Sequence, residues 1–158
     1  MVLKGVSGMD VQQRLQIRLA IEDLNTAFTR HLDHNQVAEL VELFTPDALY
    51  THGTRESRGR PAIAALFSAR AAQIRTARHL YSGLSVEIED TSHARGRCVC
   101  MTFAFDGPPP VRQTIPHLVA DFEDRYLLCS DGRWRIAARH IERIFEAPDN
   151  PGPVRIGS

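Results

Sequence analysis

At Arg75 the spacing of apolar residues changes, and no other feature limits the fold of this chain as much. Before that point apolar residues recur every three or four positions; after it they alternate with polar ones. Residues 10–32 read as a helix. Asp10 and Gln13 resemble a capping box, and Ile17, Ile21, Leu24 and Phe28 form one apolar stripe. Asp33-His34-Asn35 breaks it. Gln36 to Phe44 reads as a second, shorter helix, ended by Thr45-Pro46-Asp47. Ala48 to His52 is a short candidate strand and Thr51 to Gly59 a polar loop. A third helix opens near Pro61, carries Ile63, Leu66, Phe67 and Ile74, and ends near Arg75.

Four strands follow. Leu84, Val86 and Ile88 alternate with Ser85, Glu87 and Glu89, as in a half-buried strand. Arg95 to Phe105 is apolar on both sides from Cys98 onward. Asp106 to Pro110 cannot continue a ladder and reads as a loop. Leu118 to Cys129 and Trp134 to Phe145 flank a hairpin turn at Ser130-Asp131-Gly132. Helices first and an antiparallel meander after them is an α+β pattern, with helices on one face of a curved sheet. The absence of βαβ alternation excludes a Rossmann domain. The expected organisation is one domain over residues 10–146, with terminal arms at 1–9 and 147–158.

Composition removes several classes of function. Nineteen basic residues balance nineteen acidic ones, which argues against a polyanionic partner. Eighteen of the nineteen cations are Arg, with Lys4 the exception. Arg55, Arg58, Arg60, Arg70, Arg75 and Arg78 face only Glu56 over their stretch. Three lie on the expected loop and three around the third helix, so they make no continuous nucleic-acid face. No apolar run reaches the length of a membrane span, and MVLKGVSGMD lacks a secretory apolar core, so a cytoplasmic protein is expected. Cys98, Cys100 and Cys129 lack zinc spacing and read as free thiols. Neither a metal nor an organic cofactor is implied.

From spacing alone, the polar residues of interest have ordinary readings. Asp33 with Gln36 can cap the second helix. His79 and His140 read as strand histidines, and Arg139 as a strand-edge cation. His31 and His34 sit at a solvated helix end.

The order of motifs adds more. Ile21-Glu-Asp-Leu24, Asp33, Leu43-Phe44-Thr45-Pro46-Asp47-Ala48, Arg78-His79, Phe122-Glu123-Asp124-Arg125 and Asp131-Gly132-Arg133-Trp134-Arg135-Ile136 followed by Arg139 resemble the SnoaL-like group of the nuclear transport factor 2 superfamily. The resemblance spans about residues 10–145. It implies a cone-shaped α+β barrel with a deep pocket between helices and sheet. Within the superfamily the chain looks most like the scytalone dehydratase, bile-acid dehydratase and hexachlorocyclohexane dehydrochlorinase branch. That branch carries an Asp–His pair at the positions matched by Asp33 and His79. The dehydrochlorinase adds an Arg five residues after a strand Trp, as Arg139 follows Trp134.

The resemblance implies a cofactor-free lyase or isomerase acting on a small hydrophobic, cyclic molecule. His79 is the expected general base, Asp33 its orienting carboxylate and Arg139 the stabiliser of developing negative charge. Tyr50, His52, Phe105 and His117 are expected to line the pocket. Two departures narrow the substrate. Leu32 stands where scytalone dehydratase has Tyr, and no His matches its second catalytic histidine near Phe105. His52 occupies about the position of the ketosteroid isomerase base, so isomerisation by an Asp there is not supported. Strand parity adds a condition: Arg139 and Trp134 can share one side only if a bulge intervenes or both faces are covered. Arg78 and Arg139 are the expected buried charges. A non-catalytic ligand binder or accessory subunit is the alternative, and an Asp33–His79 separation beyond about 6 Å would favour it. The two-sided apolar strand and the Pro-rich tail point to a homodimer or homotrimer.

Overall fold

A computed structural model describes residues 8–148. The expected terminal arms lie almost wholly outside them. Helix α1 (Val11–Asp33) opens on the anticipated capping box: the Asp10 carboxylate accepts from the Gln13 N–H at 2.7 Å, and the Gln13 side chain accepts from the Asp10 N–H. Its stripe of Ile21, Leu24, Phe28 and Leu32 is buried. Asn35 follows in the left-handed region at φ 54°, a conformation that Asn tolerates better than most residues. Helix α2 (Val37–Glu42) is short and buries Leu40. Strands β1 (Phe44–His52) and β2 (Arg55–Arg58) precede helix α3 (Gly59–Ala71), which buries Ile63, Leu66 and Phe67. Strands β3 (Thr76–Ile88), β4 (His93–Phe105), β5 (Leu118–Leu128) and β6 (Trp134–Glu146) follow, the last elements among the described residues.

The three helices pack on one six-stranded sheet of order β2-β1-β6-β5-β4-β3, which is curved but not closed. The α+β reading holds, with corrections. The sheet is mixed, because β6 inserts between β5 and β1 and pairs with β1 in parallel. The expected loop at 51–59 contains β2, antiparallel to β1. Helix α3 stops at Ala71, four residues early, and Ile74 is 74 % exposed. Thr45-Pro46-Asp47 belongs to β1 rather than to a turn.

Bulges set which way the site residues face. In β6, Ile136 lies opposite Tyr126 and Ala138 opposite Arg125, leaving Ala137 as the extra residue. The alternation flips there, so Ile136, Arg139 and Ile141 are all buried. This bulge meets the condition that strand parity imposed. A second shift leaves Ile144 unpaired between Arg143, opposite Ala120, and Phe145, opposite Val119.

Helices and concave sheet face share a core. Phe28, Phe44, Tyr50 and Phe67 meet edge to face, with Tyr50 and Phe67 centroids 5.4 Å apart. Cys98 and Cys100 are buried free thiols on that face. No helix among the described residues is long and apolar enough to cross a membrane.

Candidate active site

Asp33 ends α1 and meets His79 on β3. Its Oδ2 accepts the backbone N–H of His79 at 2.9 Å, and its Oδ1 lies 2.6 Å from the ring Nδ1. Both side chains are largely buried. A carboxylate only accepts, so Nδ1 carries a proton, and in the neutral imidazole the lone pair is on Nε2. The capping alternative is not realised: Gln36 is the N-cap of α2 and no side chain caps that helix.

A cavity of about 110 Å³ opens beside this pair, between helices α1 and α3 and the concave sheet face. Leu32, Leu66, Phe67, Ala77, Ala104 and Leu118 supply its apolar wall. His79 lines it, as do Tyr50, His52 and His117. Burial pushes the Tyr50 hydroxyl up to about 12. It therefore stays protonated and able to donate. Arg143 donates from Nε to His52 Nε2 at 3.3 Å, and Arg75 donates to His117 Nε2 at 3.2 Å. Burial first, and then the charges of Arg143 and Arg55, hold His52 down to about 4.

Two expected site residues lie elsewhere. Phe105 is 47 % exposed and does not line this cavity. Thr102 and Ala104 face inward, so alternation turns Phe105 to the outer face. Arg139 is buried on the concave side but is engaged away from the cavity. Its Nε and Nη2 donate to the two oxygens of Asp124 at 2.8 and 2.7 Å, and Nη2 also donates to Asn25 Oδ1 at 2.5 Å. Phe28 and Phe122 sandwich the guanidinium, 4.2 and 4.9 Å from its central carbon. Tyr126 donates to Asp124 at 2.6 Å and receives a bond from Asn25 at 2.9 Å. Arg139 therefore ties α1 to the sheet, and Arg78, the other expected buried charge, is exposed. Sequence reasoning missed Arg55, Arg70, Arg75 and Arg143, which all line the cavity. For Arg55, Arg70 and Arg75 the signal was the local arginine excess between Arg55 and Arg78, weighed only as a nucleic-acid face; Arg143 lies outside that stretch. Among the described residues no three His, Cys, Asp or Glu side chains converge as a metal site.

A helix-and-curved-sheet cone with a side-chain-lined cavity is the architecture of the nuclear transport factor 2 superfamily. The SnoaL-like domain family matches residues 13–140, and the chain belongs to it. A search among curated proteins gave no sequence match. Solved structures agree on the fold. A putative scytalone dehydratase from Novosphingobium aromaticivorans is 22 % identical with a TM-score of 0.75, over 86 % of this chain and 89 % of that one. LinA is 23 % identical with a TM-score of 0.73, over 87 % and 92 %. A Mycobacterium tuberculosis protein described as of unknown function is 24 % identical with a TM-score of 0.73, over 89 % and 84 %.

Proposed function

We propose that the chain is a lyase-type enzyme, dehydratase-like or isomerising, that removes a proton from a small cyclic molecule held in the cavity. The observation that supports this reading is the Asp33–His79 hydrogen bond at the cavity wall, 2.6 Å long. In elimination, His79 Nε2 takes the proton from carbon. The C–H electron pair becomes the new C=C bond as the adjacent bond to hydroxyl or halide breaks. The imidazolium returns its proton to departing hydroxide, forming water, or releases it to solvent when halide leaves. Asp33 holds the ring and stabilises the imidazolium. With Arg139 turned away, the protonated Tyr50 hydroxyl is the donor offered to developing negative charge on oxygen. No step calls for a metal or organic cofactor.

The test is a panel of cyclic β-hydroxy and β-halo ketones, followed by enone absorbance and by deuterium uptake from D2O. On a substrate that turns over, His79→Ala lowers the rate by about 10²–10⁴-fold. An unchanged rate overturns the assignment. Ligand binding without turnover or exchange across the panel favours the non-catalytic binder.

A further inference from the structure

The charge of the cavity is one-sided. Arg55, Arg70, Arg75 and Arg143 line it, and no carboxylate does among the described residues. Arg75 and Arg143 are paired with acids at its edge. Asp106, 54 % exposed, lies 3.3 Å from Arg75, and Glu146 pairs with Arg143. Arg70 is held differently. Its Nη1 donates to the Leu32 carbonyl at 2.9 Å and to Asn35 Oδ1 at 3.0 Å, both neutral acceptors. It forms no ion pair among the described residues, and Asp33, whose charge reaches it, has both oxygens bonded to His79. Burial, and then the neighbouring Arg75, lowers Arg70 below the usual guanidinium value. A partly buried cation beside a second cation is destabilising until an anion arrives.

We propose that the cavity binds a ring compound bearing a carboxylate, with Arg70 and Arg75 as the anion-holding side and the apolar wall as the ring site. The inference rests on reading the cavity as a small-molecule site and names its ligand class. A planar carboxylate matches the guanidinium fork with two parallel hydrogen bonds. The cavity volume, about 110 Å³ with an open mouth, suits roughly one ring, since an apolar cavity of about 150 Å³ holds benzene. The cationic lining also separates this chain from a site built for a neutral apolar substrate, where the partly buried Arg70 would meet no anion.

Benzoate and benzamide test it, being nearly equal in shape and different in charge. Titration calorimetry at low salt is expected to show benzoate binding at least about tenfold more tightly, with the preference shrinking as salt rises. Arg70→Gln erases the preference. Arg70→Lys, which keeps the charge and loses the fork, retains part of it and guards against a folding defect. His79→Ala keeps the preference, so a failed proton-abstraction reading and a failed anion site give different results. Equal binding of the two probes, no saturable benzoate binding, or a preference that survives Arg70→Gln overturns the proposal. Inorganic phosphate binding as tightly as benzoate also overturns it, because the ring would then contribute nothing.

Discussion

Both oxygens of Asp33 serve a single residue, His79: one takes the ring Nδ1–H at 2.6 Å and the other the backbone N–H at 2.9 Å. The carboxylate thereby fixes both the position of the strand and the orientation of the imidazole on it. Asp33→Asn breaks this arrangement chemically more than sterically. The amide has one acceptor oxygen where the carboxylate has two, and its NH2 group must face one of the two N–H groups of His79. If the amide NH2 faces the ring, Nδ1 becomes the acceptor, the proton moves to Nε2, and the basic nitrogen no longer faces the cavity. Deuterium exchange into a substrate is expected to fall by about 10²–10⁴-fold. The melting temperature changes little by comparison, and the two readouts together separate orientation from folding.

Arg139 and Asp124 form a fully buried ion pair whose partners come from neighbouring strands. Removing one partner leaves the other charged and dry. Arg139→Met and Asp124→Asn are each expected to destabilise the fold by about 3–5 kcal/mol in urea unfolding. The double variant should cost clearly less than the sum, because neither charge is then stranded. Additive single-variant costs would show that the pair acts through packing against Phe28 and Phe122 alone.

The parts of the fold that were legible are those fixed by local chemistry. The α1 cap, its stripe, the late hairpin and the change of period at Arg75 all follow from neighbouring residues. Strand β1 was missed in part because Thr45-Pro46-Asp47 carries turn chemistry. Pro46 falls within the register shift between Phe44 and Leu49, where no ladder bond needs its missing N–H. The parallel β1–β6 pairing joins residues some ninety positions apart, and no local pattern reports it. Asp33 and His79 were reached through resemblance, since their spacing alone suggested a cap and a strand histidine. Arg139 needed the bulge at Ala137, which only the partner strand defines. The four cavity arginines come from the β2 start, the α3 end, the segment that follows it and late β6, so their convergence is a property of the fold.

The outer sheet face carries Leu80, Met101, Val119 and Phe145 as directly opposed neighbours across β3, β4, β5 and β6. Leu80 and Phe145 are exposed by more than half, at 55 % and 68 %. Such a ladder is where the expected self-association would bury apolar surface, and we propose a second copy of the chain as its cover. Light scattering is then expected to give a dimer or trimer, with Met101→Lys shifting it toward monomer. A monomeric wild type rules this face out as a homo-oligomer interface.

Gly96 on β4 shows how tightly Tyr126 is seated. A Cβ at this position would lie 2.7 Å from Tyr126 Cε2 and 2.9 Å from its hydroxyl. Gly96→Ala must therefore push the ring off its bonds with Asn25 and Asp124. A loss of about 1–3 kcal/mol is expected in chemical denaturation. Gly96→Ala in a Tyr126→Phe background should still be destabilising, because the ring edge remains in the way.

His52 predicts a pH dependence whose sign follows from its partners. Burial, then Arg143 and Arg55 and, more weakly, His79 oppose its protonation, and only Glu146 favours it. The folded state thus holds the ring near pKa 4, against an ordinary value of 6.5. Between these values the unfolded chain binds a proton that the folded chain refuses, so stability rises with pH in that window. The contribution is complete above about pH 6.5 and is lost as pH falls toward 4. Between about pH 7 and about pH 4.5 it amounts to about 2 kcal/mol, allowing for the partial exposure of the ring. His52→Gln keeps an acceptor for Arg143 and has no proton to gain. Urea unfolding of both proteins across this range is expected to give curves that converge on acidification, with the carboxylates common to both cancelling in the difference. A constant difference would mean that His52 takes up its proton equally in the folded and unfolded states, and the cationic surroundings assigned to it would be wrong.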